Sequence, residues 1–163
     1  IQAMRRAAFA CSPSCLAMST SPKAGPRLRH VEQSNMSSGC GPACVAMIAG
    51  VSERKAIRTI FGWDRTVGLW TTLADLKAAL VVFGFGMPVR AKRVTDWRRI
   101  PSLAIVGLGQ PRTGRAPVAH WVVYDPVDDL VYDPMRRAPI PSEKMRRRPI
   151  SYLSIVGRGR EQG

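Results

Sequence analysis

Acidic side chains are scarce in this 163-residue sequence, which has 11 Asp+Glu against 25 Lys+Arg and a formal net charge of +14. A positive excess of this size suits an acidic partner such as nucleic acid or an anionic membrane face. The basic runs are not interleaved with aromatic residues, as they are in single-strand binders. A solvated, arginine-rich surface explains the same composition, so nucleic acid is an allowed partner but not the favoured one.

Long apolar runs and dense cysteines are also absent. No apolar run reaches the roughly 20 residues needed to span a bilayer, so we predict no membrane span. Four cysteines are too few for a disulfide-stapled secreted domain, which favours a reducing, cytoplasmic location and a monomer held by its own core. There is no phosphate loop, dinucleotide fingerprint or EF-hand. Cys40, Cys44, His30 and His120 match no common zinc spacing, so we predict no cofactor and no metal.

The chain divides into three regions by composition. Residues 1–26 are small, basic and rich in proline and serine, which predicts a flexible N-terminal tail. Residues 27–157 carry the periodic patterns of one folded domain, and 158–163 form a short basic tail. With a hydrophobic fraction of 45%, the middle region is long enough to build a core.

Helix signals come first along the chain. A helix is predicted to begin near Gly41 or Pro42 and to end at Gly50. A second follows the N-cap candidate Ser52 and stops at Gly62. A third is predicted over residues 72–83, where Thr72 and Asp75 have the spacing of a capping box.

Strand signals follow the helices. They cover residues 88–94, 102–108, 121–124, 130–132 and 152–156, with a helical turn at 96–100 and a loop over 107–118. Helices first and strands later indicate an α+β fold, with N-terminal helices packed on a C-terminal antiparallel sheet.

Cys40 stands at the predicted start of the first helix. The N-terminus of a helix presents unpaired N–H groups and a partial positive charge, and both stabilise a thiolate. An isolated cysteine at such a position is usually inert, so this feature gains weight only beside a suitable base. Cys44, one helical turn later, is predicted to be a buried packing residue.

His120 and Asp133 are predicted to meet across a hairpin. If the turn is centred on residues 125–128, Tyr124 faces Asp129 and His120 faces Asp133. The carboxylate then fixes the histidine tautomer and stabilises its protonated form. Cys40, His120 and Asp133 together predict a nucleophile, a base and an orienting acid. The Cys40 N–H and a side-chain amide, Gln33 or its alternative Asn35, are candidates for holding the oxyanion.

With these residues in view, the sequence resembles the bacteriocin-processing peptidases, which are papain-like cysteine peptidases that cut after a double-glycine leader. The resemblance covers residues 31–156. It rests on Gln33, on Cys40-Gly41-Pro42-Ala43-Cys44-Val45-Ala46-Met47-Ile48, on His120-Trp121-Val122-Val123 and on Val131-Tyr132-Asp133-Pro134. Gln33 lies one residue further from its cysteine than in the family.

The resemblance implies a papain-like fold in a bacterial protein, with a peptide or protein substrate. It implies that Cys40 is the nucleophile, His120 the base, Asp133 the orienting acid and Gln33 the oxyanion donor. Gly41 and Trp121, which adjoin the nucleophile and the base, are candidate substrate-binding residues. Two alternatives remain open: an amidase or acyltransferase on the same scaffold, and an inactive basic module that binds nucleic acid.

Overall fold

The computed structural model describes residues 28–35, 37–109 and 120–158. The tail predicted for 1–26 lies outside them, as do 159–163 of the predicted C-terminal tail and most of the predicted 107–118 loop. Arg158, the first residue assigned to that C-terminal tail, is the last residue of a strand. In the described part of the chain, no helix is both apolar enough and long enough to cross a bilayer.

Within the part of the chain that the structure describes, three α-helices come first, as predicted. Helix α1 is Cys40–Ala49, α2 is Glu53–Phe61 and α3 is Leu73–Val82. Helix α1 begins one residue before the predicted start, and Gly50 closes it in the left-handed conformation at φ 67°. The Ser52 side chain caps α2 by accepting from the Lys55 N–H at 3.2 Å. The Thr72–Asp75 capping box at the start of α3 is confirmed.

In the described residues, eight short strands form two antiparallel sheets. Their bounds are β1 Phe85–Gly86, β2 Lys92–Arg93, β3 Ala104–Leu108, β4 His120–Asp125, β5 Leu130–Tyr132, β6 Ile140–Pro141, β7 Pro149–Ser154 and β8 Val156–Arg158. The main sheet has six strands in the order β2-β7-β3-β4-β5-β6, and β1 pairs with β8 in a two-stranded sheet. The α+β class with an antiparallel sheet is therefore confirmed.

The strand bounds differ from the predictions at the sheet edges. The strand predicted over 88–94 is reduced to β2, which does lie at an edge of the main sheet. Strands β1 and β6 were not predicted, because two residues are too few to show an alternating pattern. The last predicted strand is two strands, β7 and β8, separated by Ile155.

The predicted register of the β4–β5 hairpin is wrong. Asp125 pairs with Leu130, Tyr124 with Val131 and Val123 with Tyr132. The chain reverses through residues 126–129, where Asp129 adopts the left-handed conformation at φ 51°. Because this moves each partner by two positions, every side chain keeps its predicted face. Asp133, just beyond β5, therefore approaches His120 diagonally across the hairpin rather than from the directly opposite position.

The two faces of the main sheet carry separate apolar clusters. Trp121 and Val123 of β4 pack with the buried residues of α1, whereas Val122 and Tyr124 pack with Trp97 on the other face. Helix α1 is buried along its whole length, because it lies between the sheet and the other two helices. This packing fixes the first residue of α1 relative to the first residue of β4.

Candidate active site

Cys40 is the first residue of α1 and is 9% exposed. The turn before it is held by the carbonyl of Asn35, which accepts from the Gly39 N–H at 3.0 Å. The buried Ser38 hydroxyl accepts from the Leu69 N–H at 2.9 Å, which fastens the same turn to the segment before α3. The thiol is thus held at the N-terminus of a buried helix.

His120, the first residue of β4, connects Cys40 with Asp133. Its Nε2 donates to Asp133 Oδ1 at 2.7 Å, and the Cys40 side chain is close enough to the ring to raise the pKa of His120. Because Nε2 is engaged by the carboxylate, Nδ1 is the nitrogen left to face the thiol. The structure therefore brings the three residues together as predicted, although the hairpin register that does so is different.

The ionisation of His120 follows from these contacts. Burial lowers its pKa, but the hydrogen bonds and charges of Asp133 and Cys40 outweigh burial and raise the pKa to about 9. The imidazole is therefore held in its protonated form beside the thiol at neutral pH. An imidazole held beside a cysteine sulfur is the base that an activated cysteine needs.

The surroundings of Asp133 keep its side chain in the ionised form. Burial raises its pKa, yet the hydrogen bond from His120, the Met135 N–H and the charges of His120 and Arg136 lower it overall. The Met135 N–H donates to Oδ1 at 2.9 Å, and Arg136 Nε lies 3.6 Å from Oδ2. The carboxylate thus stays ionised and fixed in orientation, which is what an orienting acid requires.

Gln33 is buried beside the same site. Its backbone N–H donates to the carbonyl of Pro134 at 3.0 Å, which ties the segment before Cys40 to the residue after Asp133. Its side-chain Nε2 donates to the Asn35 carbonyl at 2.8 Å, while its buried Oε1 has no partner in the described part of the protein. The amide nitrogen carries two hydrogens, and one remains to be donated.

Asn35 has a different surrounding from Gln33. Its Nδ2 donates to the Thr66 carbonyl at 2.8 Å, and its Oδ1 accepts from the backbone and hydroxyl of Ser37 at 3.0 and 2.7 Å. The side chain is thus engaged in holding the loop before α1. Each of the two amide nitrogens makes one hydrogen bond and keeps one hydrogen, but Gln33 is the buried residue of the two, and its side chain does not hold the loop.

Gly41 and Trp121 lie under Thr71. A Cβ on Gly41 would collide with the Thr71 hydroxyl, so the second position of α1 accepts only glycine. The Trp121 indole donates to the Thr71 carbonyl at 3.3 Å and is 8% exposed within the helix-facing core. Trp121 thus holds the backbone of Thr71 in place from within the core. Thr71 was missed, because a threonine between two helices carries no signal in the sequence.

In the described ranges no three His, Cys, Asp or Glu side chains group as metal ligands would. The chain matches no protein-family model. No curated protein matches it either.

Proposed function

We propose that this chain is a thiol hydrolase, a cysteine peptidase of papain-like architecture that cuts a peptide bond through Cys40, His120 and Asp133. The observation that carries the proposal is that one imidazole hydrogen-bonds a buried carboxylate and has its pKa raised by the neighbouring thiol at a helix N-terminus. The papain-like assignment is supported by the helix that carries the cysteine, which packs on an antiparallel sheet that carries the histidine.

The first half of the reaction forms an acyl-enzyme. The Cys40 thiolate, having given its proton to His120, attacks the carbonyl carbon of the scissile peptide. The Cys40 N–H and the free hydrogen of Gln33 Nε2 stabilise the oxyanion that develops. The protonated His120 then donates its proton to the departing amine, so the peptide bond breaks and a thioester on Cys40 remains.

The second half restores the enzyme. A water molecule gives a proton to His120 and attacks the thioester carbon, which releases the new carboxyl terminus and the Cys40 sulfur. Asp133 holds the ring in one tautomer through both halves and does not itself take up the proton. Cleavage after two glycines rests on the sequence resemblance, and it defines the first substrates to be tried.

The decisive experiment measures thiol reactivity residue by residue. The protein is treated with iodoacetamide at about pH 6 to 7, below the range in which a free thiol ionises, and the alkylated cysteines are mapped by mass spectrometry. We expect Cys40 to react faster than a model thiol and His120→Ala to abolish the advantage. Equal rates for Cys40 and the model thiol would sink the hydrolase proposal.

A substrate screen then separates peptidase from related chemistry. Peptides with a Gly-Gly pair are compared with acyl thioesters, with the Cys40→Ser protein as the control in each assay. Cleavage of a peptide supports the peptidase. Acylation of Cys40 by a thioester, without any peptide cleavage, would instead assign the site to an acyltransferase.

A further inference from the structure

A basic groove opens beside the orienting acid. It encloses about 390 Å³ and is lined by Asp133, Met135, Arg136, Met145, Arg146 and Arg147. Three arginines therefore line a groove that has a single acidic residue in its lining. That carboxylate belongs to Asp133, so the groove adjoins the residue that holds His120.

The charge of the groove is not neutralised by the part of the chain that the structure describes. Arg146 and Arg147 are exposed, and no ion pair joins either of them to a described carboxylate. Arg136 shares Asp133, but at 3.6 Å and against a carboxylate that His120 already engages. An incoming carboxylate therefore meets three donors in a partly enclosed space, where ion pairing is stronger than on an open surface.

The other lining residues indicate what kind of anion fits. Met135 and Met145 present adaptable apolar surfaces between the arginines, which suits side chains of varied shape. The lining contains no aromatic ring, and stacking on aromatic rings is how proteins hold the bases of single strands. An acidic peptide with apolar residues fits this groove better than a nucleic acid.

Two hydrogen bonds from the segment before α1 hold the backbone around Arg136. The Arg136 carbonyl accepts from His30 Nε2 at 2.6 Å, and the Pro134 carbonyl accepts from the Gln33 N–H at 3.0 Å. The segment that bears Arg136 is therefore held against the strand-like segment that leads to Cys40.

We propose that this groove binds an acidic segment of the substrate, with carboxylates paired to Arg136, Arg146 and Arg147 and apolar side chains resting on Met135 and Met145. The assignment of the ligand as substrate rests on the proposed function. The binding of an acidic peptide does not, because it requires no chemistry at Cys40.

The test uses the full chain with Cys40→Ser and a fluorescein-labelled peptide of alternating Glu and Leu. Its counterpart has Gln in place of every Glu, and a single-stranded oligodeoxynucleotide of equal length represents nucleic acid. The groove variant is R146Q/R147Q. The matched control is R98Q/R99Q, which removes the same charge from an exposed arginine pair outside the groove. Fluorescence anisotropy gives each Kd at low and moderate salt.

We expect the Glu peptide to bind and its Gln counterpart to bind far more weakly. R146Q/R147Q weakens the Glu peptide by about fivefold to thirtyfold, and R98Q/R99Q leaves it unchanged. Equal losses in the two double variants, or equal binding of the Glu and Gln peptides, would overturn the proposal. So would binding of the oligonucleotide in preference to the Glu peptide with a steep loss between about 50 and about 200 mM salt.

Iodoacetamide mapping of the unmodified protein separates the two proposals. If Cys40 is reactive but the peptide does not bind, the groove proposal fails and the hydrolase proposal stands. If the peptide binds but Cys40 is inert, the groove proposal stands and the hydrolase proposal fails. Once a cleavable acidic peptide is found, we expect R146Q/R147Q to raise KM and leave kcat unchanged, as for lost uniform binding.

Discussion

Cys40 and Cys44 lie one turn apart on α1, yet only Cys40 contacts the imidazole of His120. Cys44 is completely buried in the helix-facing core. Burial, followed by the charges of Cys40 and Asp133, raises the pKa of Cys44 well above its usual range. Two chemically identical side chains on one helix are thus assigned to a reactive position and to an inert one.

The two cysteines predict opposite mutational outcomes. Cys40→Ala is expected to abolish hydrolysis and to leave the free energy of unfolding nearly unchanged, because the thiol lies at the edge of the core. Cys44→Ala is expected to keep activity and to lower the free energy of unfolding by about 1 kcal/mol, the cost of a methyl-sized cavity. Urea unfolding and an activity assay measure both. Loss of activity in a folded Cys44→Ala protein would contradict this assignment of different roles to the two cysteines.

The raised pKa of His120 predicts an alkaline limit to activity. Its protonated form is the acid that releases the amine, so kcat is expected to fall as the pH rises through about 9. The same shift predicts a stability effect. The folded pKa lies above the ordinary 6.5, so the stabilisation is complete below 6.5 and is lost as the pH rises through about 9.

Asp133→Asn tests the origin of that limit. The amide keeps a hydrogen-bond acceptor but removes the charge, so the pKa of His120 is expected to fall and the alkaline limb to move to lower pH. NMR titration reports the pKa directly, since the chain has only two histidines. The control is Asp128→Asn, which makes the same charge change at an exposed turn position. If the pKa of His120 were the same in Asp133→Asn as in the unmodified protein, the Asp133 carboxylate would not be the cause of the raised pKa.

Gln33 and Asn35 are expected to affect different quantities. Gln33→Ala removes an oxyanion donor, so we expect kcat to fall by about a hundredfold or more with little change in KM. Asn35→Ala removes the bonds that hold the loop before α1, so we expect a loss of about 1 to 3 kcal/mol in stability. Steady-state kinetics and urea unfolding distinguish the two effects. If Gln33→Ala lost only stability, the residue would be structural.

Gly41→Ala is expected to disturb the start of α1. The new methyl group meets the Thr71 hydroxyl and lies 3.1 Å from Leu76 Cδ2, so we expect a cost of about 1 to 3 kcal/mol and a displaced Cys40. Thr71→Ala removes the hydroxyl, so the double variant is expected to recover part of the loss. Gly157→Ala is the control, because nothing lies within 4 Å of its added methyl group. Equal costs at Gly41 and Gly157 would contradict the clash.

Local chemistry made much of the fold predictable. Ser52 and Thr72 mark helix starts because their side chains accept backbone hydrogen bonds, and Gly50 and Gly62 mark helix ends because they adopt positive φ. These signals depend only on neighbouring residues. Two-residue strands such as β1 and β6 leave no comparable signal, because long-range pairing alone defines them.

The site was predictable in its members but not in its geometry. His120 and Asp133 were expected to face each other directly, yet the four-residue turn lies one position later, with Asp129 in a left-handed conformation, and this shifts the pairing by two. The contact survived because a shift of two positions preserves the face. Thr71 and the groove arginines could not be placed from the sequence, because their roles depend on segments brought together by the whole sheet.

The position of β7 has a consequence for how the protein is made. This strand pairs with both β2 and β3, so it closes the middle of the sheet although nearly all other strands precede it in the chain. Until β7 has left the ribosome, β3 exposes an unpaired edge rich in aliphatic side chains, and such edges invite aggregation. A growing chain therefore already contains the cysteine, the histidine and the aspartate while the scaffold that holds them is still open. The candidate site is therefore assembled only when translation of the domain is nearly complete.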